Sequence, residues 1–186
     1  RSREALAAIG EKVPSQEGVS LICADMDLLK SSLEKRKLQD LRFDLIFCSY
    51  GLYYSSKAVN LLDEMKSLLK EKGQIVIVGP YGPNNEPLIR LLRRAGVDLP
   101  KDINRTFMHE VVIPWGALHF TLLSIRTMVN SIIWTSPEQV LEYWESSAYF
   151  DPGKIAEVRR LLQSHFAQEG NFINKKYVMM VVMKNG

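Results

Sequence analysis

The chain has 186 residues, 46% of them hydrophobic and 24% charged, with a formal net charge of +3. That is enough chain, of ordinary globular composition, for one domain with a sizeable core. The charge is too small to favour a nucleic acid or a membrane surface as partner, and the longest apolar candidate for a membrane span, Val111 to Ser124, is broken by Pro114, Gly116 and His119.

In chain order, the first pattern is helical, Glu4 to Ile9. The chain enters it without an initiator methionine or an apolar signal segment, so the domain is expected to begin upstream of Arg1. A polar loop with Pro14 leads to VSLICA, Val19 to Ala24, an almost unbroken apolar run that predicts a strand buried on both faces. It ends at Asp25, and a basic helical stretch follows from about Leu28 to Lys37.

Leu45 to Cys48, within FDLIFCSY, predicts the next buried strand. Ser55 and Ser56 are candidate caps for a helix from Lys57 to Lys70. Ala58, Leu61, Leu62, Met65, Leu68 and Leu69 give that helix one apolar face. Gly73 is expected to stop it in the left-handed conformation, and Gln74 to Val78 predicts a strand parallel to the previous one. Strand, helix and strand make a right-handed βαβ unit.

GPYGPNN, Gly79 to Asn85, is a loop by composition. Glu86 to Ala95 follows as a helix, with Pro87 in its first turn and Gly96 at its end. Val97 to Glu110 looks irregular, and Phe107 to Leu123 is apolar and aromatic without a clear period. Ser124 to Trp134 predicts a strand. Ser136-Pro137-Glu138-Gln139 is a helix start with a capping serine and a first-turn proline. Asp151-Pro152 opens another helix that ends near Gly170, and Phe172 to Lys184 predicts a closing strand. No linker divides the chain, so residues 1–186 are expected to form a single domain.

Cys23 and Cys48 both sit in apolar runs. They read as buried spectator thiols in a reducing, cytoplasmic setting rather than as a disulfide. No histidine, cysteine or carboxylate cluster has metal-binding spacing. The run Lys35-Arg36-Lys37 has Glu34 and Asp40 beside it and reads as a solvated helix face.

Four segments in this order carry a resemblance. VSLICADMDL is similar to a third strand with a terminal acidic residue, FDLIFCSYGLYY to a fourth strand and its turn, and LLKEKGQIVIV to a Leu-Lys-x-Gly-Gly segment entering strand five. The long last strand is similar to a closing antiparallel hairpin. The chain thus resembles the C-terminal two-thirds of a class I S-adenosylmethionine-dependent methyltransferase of the small-molecule type. The resemblance implies an α/β, Rossmann-like sheet, mostly parallel with an antiparallel last strand and lacking the N-terminal strands. The family's Gly-x-Gly-x-Gly loop is not in these residues, and Gln74 replaces the second glycine of Lys-x-Gly-Gly. Without that loop's backbone donors, this stretch is expected to bind the cofactor weakly or not at all by itself.

In open α/β sheets, ligands sit beyond the carboxyl ends of the strands. By resemblance, Asp25 accepts from the adenine amino group and Met26 offers its N–H to the ring. Ser49, Tyr50 and Gly51 flank the methionine part of S-adenosylmethionine, and Tyr54, with Tyr53 as a further candidate, lines the transfer site. The alternative for Asp25 is a helix cap; for Tyr53 and Tyr54 it is packing beneath the next helix. Asp44 resembles the acidic residue at the strand start, with a structural role.

No catalytic residue is assigned. His109, His119 and Tyr81 are base candidates that each read more simply as structural or surface groups, and His165 lies within a helix. The rings of Trp115, Trp134, Tyr143, Trp144, Tyr149 and Phe150 read as core filling, with an aromatic pocket for the acceptor as the alternative. The expected partner is a small-molecule methyl acceptor, with no nucleic acid and no membrane. Two rival readings remain. A non-catalytic methyltransferase-like module would pair through an exposed sheet edge and show concentration-dependent homodimers by light scattering. Another nucleotide-binding α/β enzyme, for example a nicotinamide-dependent dehydrogenase, would need a Gly-x-Gly-x-x-Gly turn that these residues lack.

Overall fold

The computed structural model describes residues 3–12, 19–99 and 105–186. Four strands, β1 (Phe43–Ser49), β2 (Leu69–Pro80), β3 (Thr121–Trp134) and β4 (Phe172–Lys184), form one sheet in the order β1-β2-β4-β3. β1 and β2 are parallel, and β4 is antiparallel to both β2 and β3. Three strands therefore share one direction and only β4 opposes them, as the resemblance implies. The helices are α1 (Arg3–Lys12), α2 (Leu29–Glu34), α3 (Ala58–Ser67), α4 (Glu86–Arg94), α5 (Ile113–His119), α6 (Pro137–Glu145) and α7 (Ile155–Glu169).

Alternation along β2 and β4 sets the core. Ile75, Ile77, Met179, Val181 and Met183 are buried together with Leu61, Leu62 and Met65 of α3 and Trp115 of α5. A second cluster joins α4, α6 and α7 to Trp134 and Phe172 at the far end of the β3–β4 hairpin. All three tryptophans are buried, so their expected role as core filling holds. Among the described residues no helix is long and apolar enough to cross a membrane.

Several local expectations hold. Ser136 Oγ accepts from the Gln139 N–H, and Pro137 opens α6. Gly96 and Gly170 take φ of 71° and 73° just past α4 and α7. Other expectations are corrected.

Val19 to Ala24 forms no strand. Val19 is 51% and Leu21 41% exposed, because an apolar run becomes a buried strand only where a neighbour supplies ladder partners. β1, the edge strand, pairs among the described residues with β2 alone, which leaves Phe47 62% exposed. Cys23 is accordingly exposed rather than a buried spectator, while Cys48 is half-buried, and burial pushes its thiol up.

The helix expected over Lys57 to Lys70 stops at Ser67, and β2 begins at Leu69. Lys72, not Gly73, takes the left-handed conformation, at φ 62°. The ladder shifts between Phe43↔Leu69 and Leu45↔Gln74, and Lys70 Nζ bridges the shift to Asp44 Oδ2 at 2.9 Å. That confirms the structural reading of Asp44, although both side chains are exposed enough that the pair contributes little.

The irregular 107–120 stretch contains a π-turn, Met108–Val112, running into α5. The Ile113 N–H reaches the Met108 carbonyl. Such a wide turn accommodates Pro114, which has no N–H to give to an ordinary helical ladder.

Candidate functional site

The carboxyl end of β1 leads into a tight turn. Tyr50 sits at φ 52°, a conformation that costs a non-glycine residue about 1–2 kcal/mol. Its N–H donates to the Val78 carbonyl at 2.9 Å, extending the β1–β2 pairing by one bond. A Cβ at the next residue, Gly51, would lie 3.6 Å from Cys48 Sγ and 3.8 Å from Met26 Cε. These are ordinary contacts, so no packing within the chain forces a glycine there. They also place the Met26 methyl against the turn that follows β1.

Asp25 caps the 3-10 turn Met26–Leu28 by accepting from the Asp27 N–H at 3.2 Å. Capping engages part of a carboxylate that has about four acceptor positions, so it does not compete with a ligand role.

The stronger link between the two segments is Asp27, which the sequence did not single out. It accepts from Ser55 Oγ, from Ser56 Oγ at 2.7 Å and from the Ser56 N–H at 3.0 Å. The serines are thereby diverted from α3, whose first turn has no side-chain cap. Ser55 Oγ instead accepts from the Lys57 N–H at 3.0 Å, two residues on. The only sequence hint was a second aspartate two residues after Asp25, and a hydroxyl pair 28 positions away cannot be matched to it by spacing.

Hydrogen bonds from Ser55, then Ser56, hold the Asp27 carboxyl below its usual range. A depressed folded-state value stabilises the protein above the unfolded-state value, near 3.8, and is lost as pH falls through the folded-state value. Melting curves between pH 2 and 7 should therefore show Asp27→Asn less stable than the parent at neutral pH, with the two converging at the acid end. A gap that persists unchanged at the lowest pH would contradict the latch.

Tyr54 is 64% exposed, its ring 4.5 Å from that of half-buried Tyr53, and Tyr53 meets Phe107 at 6.3 Å. Burial, followed by nearby Tyr54, pushes the Tyr53 phenol up. The exposed Tyr54 is thus not core, and Tyr53 is the packing residue of the two. Tyr143 of α6 and Tyr149 join them. Tyr149 is pushed up to about 12 by burial, then by the neighbouring Tyr143 and Tyr54. Tyr50 is pushed up by burial, then by Tyr143. Tyr143 thus lies within electrostatic reach of Tyr50 and Tyr149, and Tyr149 within reach of Tyr54.

The histidines stand apart from this group as ring-stacked or bonded residues. Exposed His109 is edge-on to Tyr81 at 6.0 Å, His119 packs on Trp115 at 5.1 Å, and His165 Nε2 lies 3.0 Å from the Asn171 carbonyl. Among the described residues no group of histidines, cysteines and carboxylates could hold a metal ion.

Residues 1–77 match the methyltransferase domain family. A methyltransferase-assigned protein of Bacillus halodurans C-125 superposes with TM-score 0.58 at 14% identity, over 97% of this chain and 76% of its own. An S-adenosylmethionine-dependent methyltransferase of Anabaena variabilis superposes with TM-score 0.52 at 14% identity, over 97% of this chain and 64% of its own. At that identity the likeness is one of fold. No curated protein matches the chain by sequence.

Proposed function

We propose that the chain is a class I S-adenosylmethionine-dependent methyltransferase that moves a methyl group to a small-molecule acceptor, a reading supported by the match of residues 1–77 to the methyltransferase domain family and by the likeness of fold over 97% of the chain. The observation that carries this reading is the meeting of two segments: Met26 against the Gly51 turn, and Asp27 latched to Ser55 and Ser56. Room for a Cβ at Gly51 and a half-buried carboxylate at Asp25 fit a nucleoside with an amino group to donate.

In this reading Asp25 accepts from the adenine amino group, and Met26 gives its N–H to the ring. The Ser49-Tyr50-Gly51 turn flanks the methionine chain, and Tyr54 faces the transfer point. S-adenosylmethionine, when bound, supplies a methyl carried on a sulfonium. The protein's part is to hold the two molecules in line and keep water out, an effect worth up to about 7–11 kcal/mol in favourable cases. The two unbridged cysteines suit a reducing cytoplasm. A second copy adding to the outer edge of β1 is the dimer this reading allows.

Calorimetric titration with S-adenosylhomocysteine tests the cofactor site. With no glycine-rich loop in these residues, a dissociation constant of about 1 mM is expected, near −4 kcal/mol. Asp25→Asn keeps a good cap but replaces the carboxylate with an amide, and should weaken binding about tenfold at unchanged melting temperature. Absence of both heat and thermal shift at millimolar ligand in a longer protein that also carries the glycine-rich loop would sink the reading.

A further inference from the structure

Tyr143 is held by a buried amide relay that crosses the fold. Asn174 on β4 is fully buried, and its Nδ2 donates to Asn85 Oδ1 at 2.8 Å. Asn85 Nδ2 in turn donates to the Tyr143 hydroxyl oxygen at 3.4 Å. Asn85 is itself fixed. It takes the left-handed conformation at φ 56°, and its N–H donates to the Lys175 carbonyl at 2.9 Å. The neighbouring Asn84 Oδ1 accepts from the Tyr177 N–H at 3.0 Å. With an amide hydrogen already on its oxygen, the Tyr143 hydroxyl is left to donate its own proton elsewhere.

Lys176 supplies a charge beside that donor. It lies on the same face of β4 as Asn174, two residues on, and its Nζ stands 4.7 Å from the centre of the Tyr143 ring. Lys176 is half-buried, and among the described residues no carboxylate is within ion-pair reach of it. A partly desolvated ammonium with only a ring for company favours an anion. The buried Trp134 ring, 5.1 Å from Tyr143, backs the Tyr143 ring from the core. Asn85 lies in the loop that leaves the carboxyl end of β2, where Ser49 pairs with Val78, so the patch is at the sheet end that carries the Ser49-Tyr50-Gly51 turn.

Building on the preceding reading, we propose that the methyl acceptor is an aromatic molecule carrying an anionic oxygen, a carboxylate or a phenolate, and that Tyr143 and Lys176 position it. Tyr143 donates one hydrogen bond, Lys176 supplies the charge, and the acceptor's ring lies against the accessible part of Tyr143. The Asn174–Asn85 relay keeps Tyr143 in the donating orientation.

The probe is benzoate, titrated into the full chain and followed by tryptophan fluorescence, with benzamide as its neutral counterpart. Saturable benzoate binding is expected, with benzamide about tenfold weaker. Lys176→Met and Tyr143→Phe should each weaken benzoate by about five- to tenfold and leave the S-adenosylhomocysteine affinity as it was. Lys176→Arg, which keeps the charge, should retain benzoate binding and guards against a folding artefact. Equal binding of benzoate and benzamide, an unaffected Lys176→Met, or no saturable benzoate signal overturns the proposal. S-adenosylhomocysteine titrated in parallel keeps the two ideas apart: its failure in the longer protein with the glycine-rich loop strikes the cofactor reading, while failure of benzoate alone strikes only the acceptor.

Discussion

Replacing Trp144 with alanine is expected to destabilise the protein by about 3–5 kcal/mol, the range for removing a buried tryptophan. Trp144 is 0% exposed, at the centre of the cluster formed by α4, α6, α7, Trp134 and Phe172. Its ring meets Phe150 edge-on at 5.0 Å, and its Nε1 donates to the Tyr149 carbonyl at 3.3 Å. Alanine would leave a void that neighbouring helices can fill only in part, and would strip a partner from a carbonyl. At about 2–4 °C per kcal/mol for a chain of this size, the melting temperature should fall by on the order of 10 °C. Trp144→Phe, which refills most of the void but not the hydrogen bond, should lose less than half of that. Thermal and urea melts of the two variants check the order; an alanine variant melting within a degree or two of the parent would show that these helices do not share a core. The same change should loosen Tyr149 and the adjoining phenols.

Gly73→Ala should have the next largest effect, about 2–3 kcal/mol, at the upper end for overpacking. A Cβ there would lie 2.9 Å from the Lys70 carbonyl oxygen, 3.0 Å from the Phe43 carbonyl oxygen and 3.2 Å from Leu69 Cδ2. Two of these are backbone atoms, which cannot swing aside as a side chain can. They also lie where the β1–β2 ladder shifts register and where the Asn185 N–H bonds the Gly73 carbonyl at 2.8 Å. Relief of the clash must open that pairing. Gly170→Ala is the comparison. There φ is 73° but no atom lies within 4 Å of the added Cβ, so only the left-handed penalty of about 1–2 kcal/mol applies. If urea denaturation gave Gly73→Ala the smaller loss of the two, close approach would not be the reason for glycine at 73.

These glycines show where a sequence is legible and where it is not. Gly96 and Gly170 stop helices by their own φ, a property of one residue after one helix, and both stops could be read directly. Gly73 was assigned the same task, but its reason is close approach to two carbonyls, that of Lys70 and that of Phe43, 30 residues earlier in the chain. The serine at 136 declared its cap because donor and acceptor are three residues apart. Ser55 and Ser56 carried the same local signal and were drawn away by Asp27. For the apolar runs, the period showed which residues could be strands, and β4 was read to its bounds. Val19 to Ala24 had equal apolar character but found no ladder.

The candidate site divides in the same way. Asp25 and the Ser49-Tyr50-Gly51 turn stood out because each closes an apolar run, and Met26 through the resemblance; their nearness is visible in the contact of Met26 with the Gly51 turn. Tyr143 and Lys176 gave no such signal. Tyr143 falls in a helix with buried tryptophans around it, and Lys176 in an otherwise regular strand.

Composition, apolar period, caps and chain order determined the α/β class, the parallel β1–β2 unit and the extent of the closing strand, whose antiparallel direction was implied by the resemblance alone. Only the folded chain decided which apolar run found a partner, why Gly73 must be glycine, and that Asn85 joins Tyr143 and Asn174 across 58 and 89 positions. Hydrogen bonds and close contacts depend on distance in space, and a linear spacing carries that distance only within a single turn or strand.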